Sequence, residues 1–297
     1  MQFLTRAFGW QQASFDDYIQ AYNLFGGSTL ADPRILDFFH SRHHLNEAFF
    51  VRRNKQGALT GGICTWEGKY IAGDQKIVKK HRLSRYPLNF DEIVVPVPTD
   101  SKSLFPFRTK FLSSLNQQSF LNCSHKLNAR REICIVRPLS SKTRQSRNRE
   151  LKKFLNNGGE VRSVDDYSLD ELIRIYAHLY CLRRETQIAT EPMAELYSAI
   201  PELRFGNILL FNGEPCAMQW LTKSEDHQYL YLDYVNAGMD LSLSHLSVGT
   251  LAAWVNIQES LNLSQSSGKK MRFSFGRPTA DYKYRWCDRE PLYRLLG

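Results

Sequence analysis

Apolar positions recur along this chain at two spacings, and each change from one to the other marks an element. From Ser14, which begins a capping-box-like Ser-x-x-Asp, the run Phe15, Tyr18, Ile19, Tyr22 and Phe25 follows helical spacing. Gly26-Gly27 predicts the end of that helix. Asp32-Pro33 predicts the start of another, with proline at the first helical position and Ile35, Leu36 and Phe39 facing inward. AFFVRR, the turn NKQG and ALTGGICTWEG then read as a β-hairpin, in which Gly61-Gly62 predicts a bulge or a close backbone approach. The prolines of EIVVPVP (92–98) predict an edge or terminal strand. Residues 105–121 read as a weaker amphipathic helix, and REICIVRP (131–138) as a strand ending at proline.

The second half follows a similar plan. Ser168-Leu-Asp-Glu171 is a full capping box, and Leu169, Leu172, Ile173, Tyr176, Leu179 and Tyr180 follow at helical spacing. Thr190-Glu-Pro192 predicts a helix that buries Met193, Leu196, Tyr197 and Ile200. GNILLF, the turn NGEP and CAMQWLT form a second predicted hairpin with the layout of the first: strand, Gly-containing turn, strand ending on Trp. This is a weak internal repeat at roughly 150 residues. QYLYLDYV and MRFSFGR alternate as strands, and between them a helix runs from about Ser247 to Leu261, with Leu251, Trp254, Val255, Gln258 and Leu261 on one stripe. That order asks for a crossover and a partly parallel strand pair. Joining the halves is SSKTRQSRNRELKKFLNNGGEVRSV. Its helical first part carries Lys142, Arg144, Arg147, Arg149, Lys152 and Lys153 against Glu150 alone.

A length of 297 residues suits one large or two medium domains, and 42% hydrophobic with 23% charged residues is the composition of a globular protein. The formal net charge of +9 favours an acidic partner: nucleic acid, an anionic membrane face or a phosphorylated small molecule. A basic surface with no partner carries the same signature. Six cysteines form no CxxC pair and read as reduced thiols. The stretch MQFLTRAFGWQQASF lacks the apolar core of a signal peptide, and no apolar run approaches a membrane span. The expected place is the cytoplasm, with peripheral attachment to a membrane as the alternative.

The run from Lys142 to Val161 is similar to the linker of Fem-type aminoacyl transferases and their CelD-like relatives, although Asn148 stands where that linker carries an apolar residue. The chain as a whole resembles the macrophage-inducible antimicrobial-peptide-resistance ("Mig-fourteen") family of Gram-negative bacteria. The matching stretches are GGICTWEGKYIAGD (61–74), LNARREICIVR (127–137), KTRQSRNRE (142–150) and DYKYRWC (281–287). These resemblances imply an α/β (α+β) fold of two GNAT-like (acyl-CoA N-acyltransferase) domains in tandem, mixed sheets flanked by helices. The implied division is 1–137, a basic linker helix at 138–160, and 161–297. They also imply a role in surviving cationic antimicrobial peptides and association with the inner membrane. The family carries an older label as a transcriptional activator, and the resemblance supplies no reaction.

In GNAT domains an acyl carrier sits where two parallel strands splay apart, with its pyrophosphate on the next helix N-terminus. The resemblance therefore points to Ser244, Ser247, Gly249 and Thr250 as acyl-carrier or phosphate donors; a plain serine N-cap is the alternative. Asp233, a carboxylate in an aromatic strand, is either a general base or the partner of a neighbouring arginine. Tyr234 and Tyr282 are candidate acids or oxyanion donors, or packing residues. Arg277, Lys283 and Arg285 could clamp an anionic substrate, or form a basic rim. The basic helix suits anionic lipid, nucleic acid or a hinge, but no helix-turn-helix or base-reading motif supports nucleic acid. His40 and His44 are four apart without a third ligand, so no metal is expected. Three functions stay open. The first is acyl or aminoacyl transfer, from acyl-CoA or aminoacyl-tRNA, to an anionic envelope component. The second is a non-catalytic protein that binds the inner membrane or a partner. The third is a DNA-binding regulator.

Overall fold

The computed structural model describes residues 7–297; residues 1–6, the start of the stretch read as lacking a signal-peptide core, lie outside it. The architecture is mixed α/β, with sheets flanked by helices. A four-stranded antiparallel sheet holds β1 (Trp10–Ala13), β2 (Ala48–Arg53), β3 (Leu59–Trp66) and β4 (Tyr70–Ile71) in that order. Helix α1 (Phe15–Phe25) packs on β3, starts at the Ser14 capping box and stops at Gly26 with φ 74°. The Gly61-Gly62 pair makes that packing possible: a Cβ on Gly62 would stand 2.5 Å from the Cβ of Ala21. The ladder also slips between Arg52 and Arg53 beside this pair, so both features expected of it are present. Helices α2 (Pro33–His40), with Asp32 as its N-cap, and α3 (Gln75–Lys80) complete this side.

The larger sheet is built mainly from the second half. Its strands are β7 (Glu132–Val136), β8 (Gly159–Ser163), β9 (Arg204–Phe205), β10 (Asn207–Phe211), β11 (Glu214–Glu225), β12 (Tyr229–Met239), β13 (Lys270–Ser274) and β14 (Cys287–Pro291). They lie in the order β14-β7-β13-β12-β11-β10-β8, with β9 on β11. The expected parallel pair is β12 and β13, in register from Tyr229↔Lys270 to Asp233↔Ser274. Helix α4 (Ser141–Asn156) is the basic helix, and α7 (Val248–Ser267) is the crossover. These two cover one face of the sheet, while α5 (Leu169–Arg184) and α6 (Glu191–Ala199) cover the other. Leu209 therefore packs with Leu251 and Ala252, and its neighbour Ile208 with Leu172 and Leu196.

A small third sheet sets β15 (Tyr293–Leu295) between β5 (Thr109–Leu112) and β6 (Cys123–Ser124). Two strands thus cross between halves: β7 enters the large sheet between β13 and β14, and β15 returns from the C-terminal end to β5.

Two expected elements are absent. Residues 105–121 form no helix: β5 and a short 3₁₀ turn, Ser114–Asn116, stand there. Phe105, Phe107, Thr109 and Phe111 are buried while Arg108 and Lys110 are exposed, so the period is two and not 3.6. Residues 92–98 form no extended strand either. Ile93 makes a single bridge to Leu112, and Pro96 and Pro98 cannot donate to a ladder.

Candidate functional site

The parallel ladder ends at Asp233↔Ser274, and β12 continues to Met239 paired with β11 alone. On the side that β13 leaves, the chain turns at Gly276 (φ 69°) and enters a 3₁₀ turn, Asp281–Arg285. Two cavities open at this parting of the strands. One, of about 310 Å³, is lined by Asn89, Asp91, Tyr234, Phe275, Arg277 and Lys283, among others. The other, of about 300 Å³, is lined by Arg183, Tyr234, Ser244, Thr250, Tyr282 and Arg285, among others. Tyr234 belongs to both walls.

The second cavity meets the N-terminus of α7. Ser247 occupies the left-handed region (φ 56°, ψ 33°) and its side chain makes no capping bond, so the plain serine cap is not what is found. Thr250 and Leu251 N–H donate to Ser247 O, which leaves the N–H groups of Val248 and Gly249 ahead of the helical ladder. Ser244, Ser247, Gly249 and Thr250 all line this cavity. The donors and the helix end suit a phosphate group. The space is tight, since a Cβ on Gly249 would stand 2.9 Å from Met239 Cε. Arg183 reaches across from α5 to donate to Ala237 O at 2.8 Å, on the stretch of β12 that has left β13 and pairs with β11 alone.

Asp233 lies on the opposite face of β12, against loops of the first half. It accepts hydrogen bonds from Thr29 Oγ1 at 3.1 Å and Asn89 Nδ2 at 3.2 Å. Burial first, then the charge of nearby Glu92, pushes its carboxyl up to about 7, against the opposing pull of those two hydrogen bonds. Its expected arginine partner is engaged elsewhere. Buried Arg272 pairs through two nitrogens with Glu92, Nε to Oε2 at 3.0 Å, and with Glu290 at 3.1 Å. Burial works against the Arg272 charge, but the two glutamates outweigh it and hold its pKa above the usual value. Thr222 stands directly across the ladder from Asp233, and its buried hydroxyl has no hydrogen-bond partner among the described residues.

The tyrosines meet: Tyr282 OH lies 3.4 Å from Tyr234 OH, and Phe275 stacks on Tyr234 at 5.1 Å between ring centroids. Burial, then Tyr234, raises the Tyr282 phenol. The three basic candidates do not form one clamp. Arg277 lies on the first cavity and pairs with Asp91 at 2.9 Å, while Arg285 lies on the second. Lys283 is buried and donates to the carbonyls of Phe275 at 2.5 Å and Arg277 at 2.7 Å, so it fastens the strand end; burial lowers its pKa.

Along α4, Lys142, Arg144, Arg149, Lys152 and Lys153 are exposed, and Arg147 pairs with Glu150 at 2.7 Å. Asn148, the departure from the linker pattern, accepts from Trp254 Nε1 at 3.0 Å and Gln258 Nε2 at 3.2 Å, which ties α4 to the crossover helix. His40 accepts from Trp66 Nε1 at 2.9 Å, and no group of three metal-ligating side chains occurs among the described residues. No helix there is long and apolar enough to cross a membrane.

The Mig-14 family matches residues 32–295. No curated protein matches the chain. Among solved structures, the C-terminal domain (DUF2156) named for a lysylphosphatidylglycerol synthetase of Agrobacterium fabrum is 11% identical, with 96% of this chain and 93% of that one covered and a TM-score of 0.45. A tandem GNAT protein from the clavulanic acid biosynthesis pathway is 8% identical over 97% of each chain, with a TM-score of 0.40. A GCN5-related N-acetyltransferase from Kribbella flavida is 14% identical over 56% of this chain and 57% of that one, with a TM-score of 0.29.

Proposed function

The chain belongs to the Mig-14 family, and from that premise we propose that it is an acyl or aminoacyl transferase that modifies an anionic component of the cell envelope and so protects against cationic peptides. The observation that carries this reading is the strand parting at Asp233, with a cavity on a free helix N-terminus and a paired Tyr234 and Tyr282 in its wall. In this reading the chain is divided as 1–137, linker 138–160 and 161–297, two GNAT-like units that exchange β7 and β15.

The roles follow from the local chemistry. Asp233, buried behind Asn89 of the first cavity's wall and with its carboxyl near neutrality, takes in this reading the proton from the acceptor's amine or hydroxyl. Tyr282, held protonated by burial, returns a proton to the leaving group. Arg277 and Arg285 attract anionic parts of the two substrates from opposite cavities, while Lys283 positions the strand end between them. An acyl-CoA donor would be held by Ser244, Ser247, Thr250 and the N–H groups at Val248 and Gly249, and would supply the activated carbonyl; aminoacyl-tRNA is the alternative donor. Thermal shift with coenzyme A tests the donor site: a rise in melting temperature that is lost in Ser244→Ala/Ser247→Ala/Thr250→Ala supports acyl-CoA, and no rise removes it.

A second reading rests on the five exposed cations of α4, which suit an anionic membrane face at about 1 kcal/mol each near the surface. Flotation with anionic rather than neutral vesicles supports it, and equal recovery with both contradicts it. Nothing in the fold favours nucleic acid.

A further inference from the structure

A third cavity, of about 670 Å³, lies outside the strand parting and has roughly twice the volume of either cavity there. Lys76, Lys79, Arg108, Lys110, Arg131 and Arg294 line it. They come from α3, β5 and the residue before it, the loop before β7, and β15, so the fold assembles a concentration of charge that no segment carries alone. None of the six is within 4.0 Å of a carboxylate side chain among the described residues. Arg108 donates to the main-chain oxygen of Gly297, Lys76 to Tyr70 OH at 2.9 Å, and Arg131 stacks over Phe111 at 4.9 Å.

The one acidic side chain on the wall is Asp74. It is buried and caps α3 by accepting from Lys76 N–H, and burial raises its pKa. It can offset at most one of the six surrounding positive charges. Like charges gathered around one concavity repel, and an anion of matching charge relieves that repulsion. Spread over a cavity of this size, two or more negative charges suit the six donors better than one carboxylate, and guanidinium forks match phosphate oxygens in particular. Gln75 and Lys79 belong to this wall and also to that of the Arg277 cavity, so the two spaces adjoin.

We propose that this basin binds a phosphate-bearing anion of at least two negative charges, from a lipid headgroup or a soluble phosphate ester. The assignment stands independently of any transfer chemistry at Asp233. Calorimetric titration of the full chain with inorganic pyrophosphate and, separately, with sub-micellar dihexanoyl phosphatidic acid tests it and distinguishes the two sources. Saturable binding of either probe is expected, weakened roughly tenfold or more in a Lys76→Gln/Lys79→Gln/Lys110→Gln variant. Lys55→Gln/Lys126→Gln/Lys270→Gln makes the same change in net charge at exposed positions elsewhere and keeps wild-type affinity. Lys76→Arg/Lys79→Arg/Lys110→Arg, which keeps the charge, keeps binding. Failure of both probes to saturate, or equal weakening in both triple-glutamine variants, overturns the proposal.

Discussion

Tyr282 and Tyr234 share a hydroxyl contact of 3.4 Å at the place where β12 and β13 part, and Tyr234 belongs to the walls of both cavities there. Removing one hydroxyl separates chemistry from packing. Tyr282→Phe keeps the ring and should leave the melting temperature nearly unchanged, yet lower kcat by about 10²-fold, the usual scale for a lost general acid. Steady-state kinetics on the transfer reaction measures it, with KM expected to stay close to wild type.

Asp233 gives the protein a pH signature. Its folded-state carboxyl is pushed up to about 7, above the value in an unfolded chain, so the protonated form is favoured on folding. The associated stability is complete below about pH 4 and is lost as pH rises through about 7. Asp233→Asn should therefore match wild type at low pH and exceed it at pH 8, by about 4 kcal/mol at most. Urea denaturation at both pH values reads the difference directly. The transfer rate should climb over the same interval, because only the ionised carboxylate accepts a proton.

The Arg272 pairing is structural and should behave so. Arg272→Met leaves Glu92 buried without its cation and should cost about 3–5 kcal/mol. Arg272→Met combined with Glu92→Gln should recover much of that loss. Denaturant midpoints of the three proteins decide between a buried-charge penalty and a simple packing defect, for which the second change would bring no recovery.

Asn148 is expected to fasten the basic helix rather than to bind a ligand. Asn148→Leu leaves the buried Trp254 indole N–H without its acceptor and should cost about 1–2 kcal/mol. Asn148→Asp keeps an acceptor there and should cost less. Chemical denaturation followed by tryptophan fluorescence checks both.

These contacts explain what was legible in the sequence. Capping boxes, helix stops and both hairpins were readable because each depends on residues within a few positions of one another. The two hairpins even use their tryptophans alike: Trp66 donates to His40 of α2, and Trp220 donates to Tyr197 of α6. The parallel pair and its crossover followed from element order. What was not readable depends on distant chain. Thr29 and Asn89 lie 204 and 144 residues from Asp233, and Glu92 lies 180 from Arg272. Residues 105–121 misled because their period of two is interrupted by Pro106 and then ends in a turn. Arg277, Lys283 and Arg285 are close in sequence, but the 3₁₀ turn sends Lys283 inward and Arg285 to the other cavity.

The proposed reaction moves an acyl or aminoacyl group onto an anionic envelope component with Asp233 as its base. The direct measurement incubates purified protein with radiolabelled acyl-CoA or aminoacyl-tRNA and vesicles containing anionic phospholipid or lipid A, then follows label into the lipid fraction. Time-dependent transfer is expected with at least one donor, reduced by about 10²-fold or more in Asp233→Asn. Lipid label at the protein-free background with every donor, or equal rates in wild type and Asp233→Asn, would contradict it.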